Sequence, residues 1–250
     1  MKQLLLRRQA INAGGKGELI LDGLQFWFDG KNNQGSSFNQ SATTWYPYMR
    51  NNDIPSSFYL TKQGNGSWNT NGGFTASGSY GYFQKQNYSP FYYLPNVYDF
   101  TFVCCVGNLI ANKNTICPVG STYNSGSGTN RWAFYIDGLA RNYNFCINTG
   151  SWNYYRADIN SAADTQIKTI TIVRNGKNVI VYINGNYDNT IIASSAYLGK
   201  ANGIAFSLGA YDNGSTKIEV PYYSCQMYNR ALSDNEVMKS HLFITDRYGL

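Results

Sequence analysis

Histidine is almost missing from this chain: among 250 residues only His241 carries an imidazole. That excludes a multi-histidine metal centre, and a serine or cysteine nucleophile would have to be built around that one base. Acids are sparse as well, 14 against 20 bases. Asp137, Asp158, Asp164, Asp188 and Glu219 each stand alone, and Asp137 beside Gly138 and Asp188 beside Asn189 are placed where a carboxylate supports a turn. No two acids fall at alternate positions of one predicted strand to share a face, the arrangement that glycoside hydrolysis on a sheet requires. Phosphate loop, dinucleotide fingerprint and zinc spacing of cysteines are all absent. No apolar run approaches 18 residues, so no membrane span is expected. These absences point away from an enzyme.

Cysteines number five, an odd count, and Cys104 and Cys105 are neighbours that project to opposite faces of a strand. They suit buried thiols in a reducing compartment better than a disulfide framework. The opening MKQLLLRRQAINAGGKG has only three consecutive apolar residues, short of a secretory signal, so synthesis in the cytoplasm without a signal peptide is expected. Lys2, Arg7, Arg8 and Lys16 precede the first acid, Glu18, leaving 16 bases against 14 acids in residues 18–250. The net charge of +6 therefore sits largely in an arm, residues 1–17, suited to docking on an acidic protein surface or on nucleic acid. A solvated terminus is the plainer alternative.

What the chain does have is aromatic and turn chemistry. Aromatics make up 16%, with 22 Tyr, while charged residues reach only 14%. With abundant Gly, Asn and Ser, this composition favours strands over helices. GLQFWFDGKNN reads as a strand closing at a turn, and YDFTFVCCVGNLI as a buried strand. NRWAFYIDG and ARNYNFCINTG form a hairpin across Asp137-Gly138. IKTITIVRNGKNVIVYINGNY forms another across Asn175-Gly176, with Ile170 and Ile172 against Val179, Val181 and Ile183. GIAFSLGAYDNG and KIEVPYYSCQMY should pair, with Pro221 at an edge or bulge. Short strands must carry residues 31–91. Ser233 and Glu236 form a capping box, so a helix begins at Asp234, with Val237, Met238, His241 and Leu242 along one side for about two turns.

Recognition is the function this leaves. Trp152, Tyr154 and Tyr155 in TGSWNYYRAD, and Trp68 in GSWNTNGG, place rings beside amides, a pairing that stacks on sugars while bonding their hydroxyls. Core packing is the commoner fate of such rings. No cofactor is expected; Asp29 before Gly30, and Asp212-Asn213 before Gly214, could offer oxygens to calcium, although plain turn residues are the commoner reading of such positions.

Several stretches resemble the concanavalin A-like, laminin G-like jelly rolls, of the type found in bacteriophage structural proteins and gut bacterial surface proteins. They are DGLQFWFDGKNN, WNTNGGFTASGSYGYF, YDFTFVCCV, IKTITIVRNGKNVIVYINGN and, most specifically, CQMYNRALSDNEV with DRYGL, so the likeness spans residues 18–250. Pro47 replaces an Asp frequent in the family two residues after Trp45, and YYSCQMY lacks a family acid. The resemblance implies an all-β, two-sheet antiparallel sandwich, a jelly roll with a short C-terminal helix. It further implies a non-enzymatic virion surface protein, a fibre or capsid decoration module located on the particle. Its arm, through Lys2, Arg7, Arg8 and Lys16, would engage other virion proteins, and the domain would bind host or mucosal glycans. Membrane is not expected as a partner, and a homo-oligomer is compatible with this reading. The alternative is a glycan-binding lectin or adhesin on a bacterial surface.

Overall fold

A computed structural model describes residues 17–85, 99–107, 116–123, 131–137, 142–148, 152–158, 168–193, 205–208, 210–211, 216–217 and 221–250. The strands are β1 Leu24–Asp29, β2 Thr44–Trp45, β3 Met49–Arg50, β4 Leu60–Trp68, β5 Phe74–Lys85, β6 Phe100–Val106, β7 Ile116–Tyr123, β8 Arg131–Asp137 and β9 Asn142–Asn148. They continue as β10 Trp152–Asp158, β11 Lys168–Asn175, β12 Asn178–Ile183, β13 Asn186–Ile192, β14 Ala205–Leu208, β15 Ala210–Tyr211, β16 Thr216–Lys217 and β17 Tyr222–Tyr228. Helix α1, Asp234–Tyr248, follows.

Pairing runs β10-β9-β8-β7-β14-β5-β17-β6-β11-β12-β13, with β1 on β17, β3 on β1, β4 on β5 and β2 on β4. Only Tyr222 opposite Phe74 joins β17 to β5, and there the path folds into two layers. The first is β13-β12-β11-β6-β17-β1-β3 and the second β10-β9-β8-β7-β14-β5-β4-β2. Where the outer strands β10 and β13 meet, Asn189 Nδ2 donates to the Asp158 carbonyl at 2.9 Å. Alternation sends Phe26, Phe28, Phe102, Ile172 and Val181 of the first layer against Trp45, Trp68, Phe83, Trp132 and Phe145 of the second, in one buried cluster. Edge-to-face contacts knit it together: Trp45 meets Trp68 at 5.0 Å and Phe28 at 5.6 Å.

The expected two-sheet sandwich with its closing helix is what the structure contains, and all its described pairings but one short bridge are antiparallel. Ile172 faces Val181 and Ile170 faces Ile183, as expected, but the turn lies one residue later: Asn175 pairs with Asn178, so Gly176-Lys177 makes the loop, with Gly176 at φ +60°. Cys104 faces the inter-layer core and Cys105 the outer cluster of the first layer, as alternation requires. One pairing differs. β14 inserts between β5 and β7 in the second layer while β17 lies between β1 and β6 in the first, so among the described residues the stretches around them meet only through the short pair β15 and β16. A crossover between layers leaves no local sequence mark. Pro221 stands just before β17, whose register on β6 shifts between Tyr222 and Ser224.

Helix α1 covers the outer face of the first layer. Its capping box is complete, Ser233 accepting from the Glu236 amide while Glu236 accepts from the Ser233 amide. It runs 15 residues, longer than the two turns expected, and it buries Val237, Ser240, Phe243, Ile244 and Tyr248 rather than the stripe through Met238, His241 and Leu242, which lie half-buried along its flank. Trp27, Val103, Cys105, Val173, Tyr182 and Tyr223 receive it, with Leu19 and Ile20 from the segment that crosses the helix. There the Glu18 amide donates to the Lys239 carbonyl at 3.2 Å, and Lys239 pairs with the Glu18 carboxylate at 2.8 Å. Gly17 lies so close to α1 that a Cβ would fall 1.9 Å from the Phe243 nitrogen; only glycine permits that approach.

Candidate binding face

Strands β8, β9 and β10 form an antiparallel ribbon ending the second layer. Trp132, Phe134, Tyr143 and Phe145 enter the core, and Tyr155 and Ala157 pack against it. The intervening residues Ala133, Tyr135, Asn144, Cys146 and Arg156 therefore belong to the outer face. Register sets Tyr135 opposite Asn144 and Asn144 opposite Arg156, a row across three strands in which opposed Cβ atoms stand about 4.5–5.5 Å apart. A second row runs Gln84, Ser207, Ser121, Ala133, Cys146, Tyr154.

This face has a packed polar floor. Gln84 Nε2 donates to Ser207 Oγ at 3.0 Å, and Gln84, Ser207 and Asn144 are all buried. Ala133, Tyr135 and Cys146 make a small buried cluster of their own. Burial pushes the Cys146 thiol up to about 12, against the opposing effects of its hydrogen bond with Tyr135 and the Arg156 charge. The thiol is thus neutral, and Arg156 lies close to it. Arg156 itself is exposed, as is Asp158 two residues on.

The sugar-stacking residues expected from sequence fare differently. Trp68 is corrected: it is 2% exposed, its Nε1 donates to the Ala42 carbonyl at 3.1 Å, and its ring sits among Trp45, Phe74 and Phe83, out of reach of any ligand. Asn and Gly neighbours gave it a surface look, but they form the β4–β5 turn while the ring points inward. Tyr155 packs partly on the core, because alternation puts it on the opposite face from Arg156. The backbones of Trp152 and Tyr154 lie in β10, paired with Asn148 and Cys146; their side chains lie outside the described residues. Arg156, Asn144 and Tyr135 were missed, although the period of two in RWAFYID, NYNFCIN and WNYYRAD carries the signal.

Asp29 does not fit a calcium ion. Its fully buried carboxylate accepts from Arg247 Nη2 at 2.6 Å, Asn32 Nδ2 at 2.7 Å and the Lys31 amide at 3.2 Å, with the Tyr248 hydroxyl 2.6 Å away. That hydroxyl also lies 2.7 Å from the Tyr223 carbonyl and accepts from the Gly30 amide. Protein donors occupy the oxygens a cation would need, so Asp29 is the anchor for the end of α1. Asp212 and Asn213 lie outside the described residues, as do Lys2, Arg7, Arg8 and Lys16. Among the described residues no group of three or more His, Cys, Asp or Glu side chains could hold a metal. His241 Nδ1 lies 2.8 Å from Thr169 Oγ1 between helix and sheet, where burial lowers its pKa.

Two layers, a helix on one outer face and a polar ribbon on the other define a concanavalin A-like sandwich. A family model described as the concanavalin A-like lectin/glucanases superfamily matches residues 108–238, just over half of the chain, and the protein belongs to that superfamily. No curated protein sequence matches it. Among solved structures it is similar to the binding domain of botulinum neurotoxin DC in complex with rat synaptotagmin II, at 17% identity and TM-score 0.59, over 90% of this chain and 52% of that one. It is also similar to a mutant of Trypanosoma rangeli sialidase displaying trans-sialidase activity, at 14% identity and TM-score 0.63, over 98% and 38%. The same sialidase in complex with sialic acid gives 14% identity and TM-score 0.60, over 96% and 38%. The chain thus spans about half or less of these proteins, and the likeness is one of fold.

Proposed function

We propose that this protein is a non-enzymatic, glycan-binding surface module of a bacteriophage particle, a fibre or capsid decoration protein. It attaches through the arm of residues 1–17 to other virion proteins and presents the outer face of β8–β10 to host or mucosal saccharides. The observation that carries this reading is the opposition of the two outer faces. Gly17 and Glu18 lie on α1, over the first layer, while the row of Tyr135, Asn144 and Arg156 belongs to the far side of the second layer. A module held at the first face keeps Arg156, exposed on the second, turned away from the attachment. Membership of a lectin-containing superfamily supports the glycan-binding part of this reading. Against the glucanase alternative, the Asp29 carboxylate is buried and held by Arg247, which takes it out of the pair of cleft-facing acids that hydrolysis needs.

Two experiments test it. Deleting residues 1–17 should abolish incorporation into particles while leaving the domain folded; unchanged incorporation would remove the docking role. A glycan array should give specific binding that survives the deletion. If the chain is instead displayed on bacterial cells and absent from purified particles, the lectin or adhesin reading replaces the virion one. A reducing-sugar assay on mixed polysaccharides should show no turnover.

A further inference from the structure

We infer that the arm is stowed on its own domain: residues 4–8, LLLRR, dock on the outer face of β12 and β13, beside α1, until a partner of the arm displaces them. Helix α1 covers β1, β17, β6 and β11 and reaches β12 through Tyr182, whose hydroxyl donates to Asp234 Oδ1 at 2.6 Å. Beyond that contact the register aligns an outward stripe, Tyr182 with Tyr187, Ile180 with Thr190 and Asn178 with Ile192. Tyr187 is 61% exposed and Ile192 65%, more than any other large apolar side chain among the described residues. Strand β13 ends the first layer, and a sheet edge of this kind is ordinarily guarded by lysine, proline or an outward charge. In its sequence NYDNTII the one charged residue, Asp188, is buried, so the stripe carries no guard of its own.

The arm fits this stripe in reach, chemistry and charge. The described chain begins at Gly17, packed on the backbone of Leu242 and Phe243. Met238 lies one helical turn back, with its sulfur so near Gly185 that a Cβ there would fall 2.9 Å away, and Tyr187 follows Gly185 by two residues. That path is about 20 Å long, whereas the chain from Leu6 to Gly17 spans up to about 36 Å when extended. Leu4, Leu5 and Leu6 supply the apolar contact, and Arg7 and Arg8 follow them directly. Asp234, exposed beside Tyr182, offers those arginines a carboxylate at the helix end of the stripe, while Lys177 stands at the opposite end near Ile192, which sets the direction of the docked segment. So short a tether gives an effective concentration of roughly millimolar, and the arm's own domain therefore outcompetes a second copy in dilute solution. Stowage stands on these contacts alone; that it restrains attachment rests on the docking reading above.

Limited trypsin digestion of the full chain, followed by mass spectrometry, reads the arm directly, because Arg7 and Arg8 are cleavage sites within the docked segment. Native protein should be cut there at least about tenfold more slowly than the free peptide of residues 1–17. The double variant Tyr187→Ser, Ile192→Ser leaves the arm sequence unaltered and should be cut at the peptide's rate, while its thermal unfolding matches the parent because both side chains are exposed. Protection should be the same from about 1 to 50 μM chain, as an intramolecular contact requires. A parent arm cut as fast as the peptide, or a double variant protected as well as the parent, would overturn the inference. Protection that grows with chain concentration, with a dimer in sedimentation, would overturn it too by making a second copy the occupant. None of these outcomes depends on the particle, so incorporation after deletion of residues 1–17 decides the docking reading separately.

Discussion

Replacing Asp29 with alanine would strip Arg247, Tyr248, Asn32 and the Lys31 amide of one shared acceptor. The carboxylate is fully buried, so its loss leaves a half-buried guanidinium uncompensated, and a cost of about 3 kcal/mol is expected. Tyr248→Phe keeps the ring against Tyr223 and removes only the hydroxyl, so about 1–2 kcal/mol is expected. Denaturant midpoints of the two variants check both values. Asp29 looked like a turn residue or a metal ligand because sequence shows only its neighbours, Asp-Gly-Lys-Asn. Besides Lys31 and Asn32, its partners Arg247 and Tyr248 lie more than two hundred residues away in DRYGL, and no local pattern announces such a contact. Trp68 misled for the same reason: its Asn and Gly neighbours belong to a turn, whereas its own environment is set by Trp45 and Phe83.

At the scale of elements, the start of α1 was the most legible part of the chain. The spacing of Ser233 and Glu236 is a local code, and the structure realises it with an addition, because Glu236 also takes a bidentate bond from Arg230, itself paired with Asp22. Hydrogen bonding from Arg230, against some burial, lowers the Glu236 carboxyl to about 2. A folded pKa below the unfolded value near 4.3 gives stability that is fully present above pH 4.3 and is lost as the pH falls toward 2. Carbon-detected NMR titration should find the Glu236 midpoint near 2, and Glu236→Gln should flatten the stability profile between about pH 4 and 2. The far end of the same helix was less legible. Its buried stripe follows Val237, Ser240, Ile244 and Tyr248, and a serine in the stripe hid it; Ser240 belongs there because its hydroxyl donates to the buried Gln226.

For the whole molecule, the period of two revealed the layers and the hairpins, since each strand carries that information within a few residues. The crossover of β14 and β17 between layers was hidden, being a long-range choice among strands of similar pattern. The described thiols are spread across the inter-layer core, the helix-covered face and the polar face, so they report on the integrity of all three: Cys104, Cys105, Cys146 and Cys225 are free and buried. Burial pushes Cys104 up to about 12 and raises Cys105 and Cys225 well above the ordinary thiol value. None of these four should react with a thiol reagent at pH 8 in the native state, and all should react after denaturation; a fast native phase assigned by mass spectrometry to any of them would contradict this packing. The central claim is that ligand meets the second layer while the arm leaves from the first. Amide hydrogen exchange of the full chain with and without the tightest-binding saccharide tests it most directly. Added protection in β8, β9 and β10, around Tyr135, Asn144 and Arg156, is the predicted result; protection confined to α1 and residues 17–21 would contradict the account.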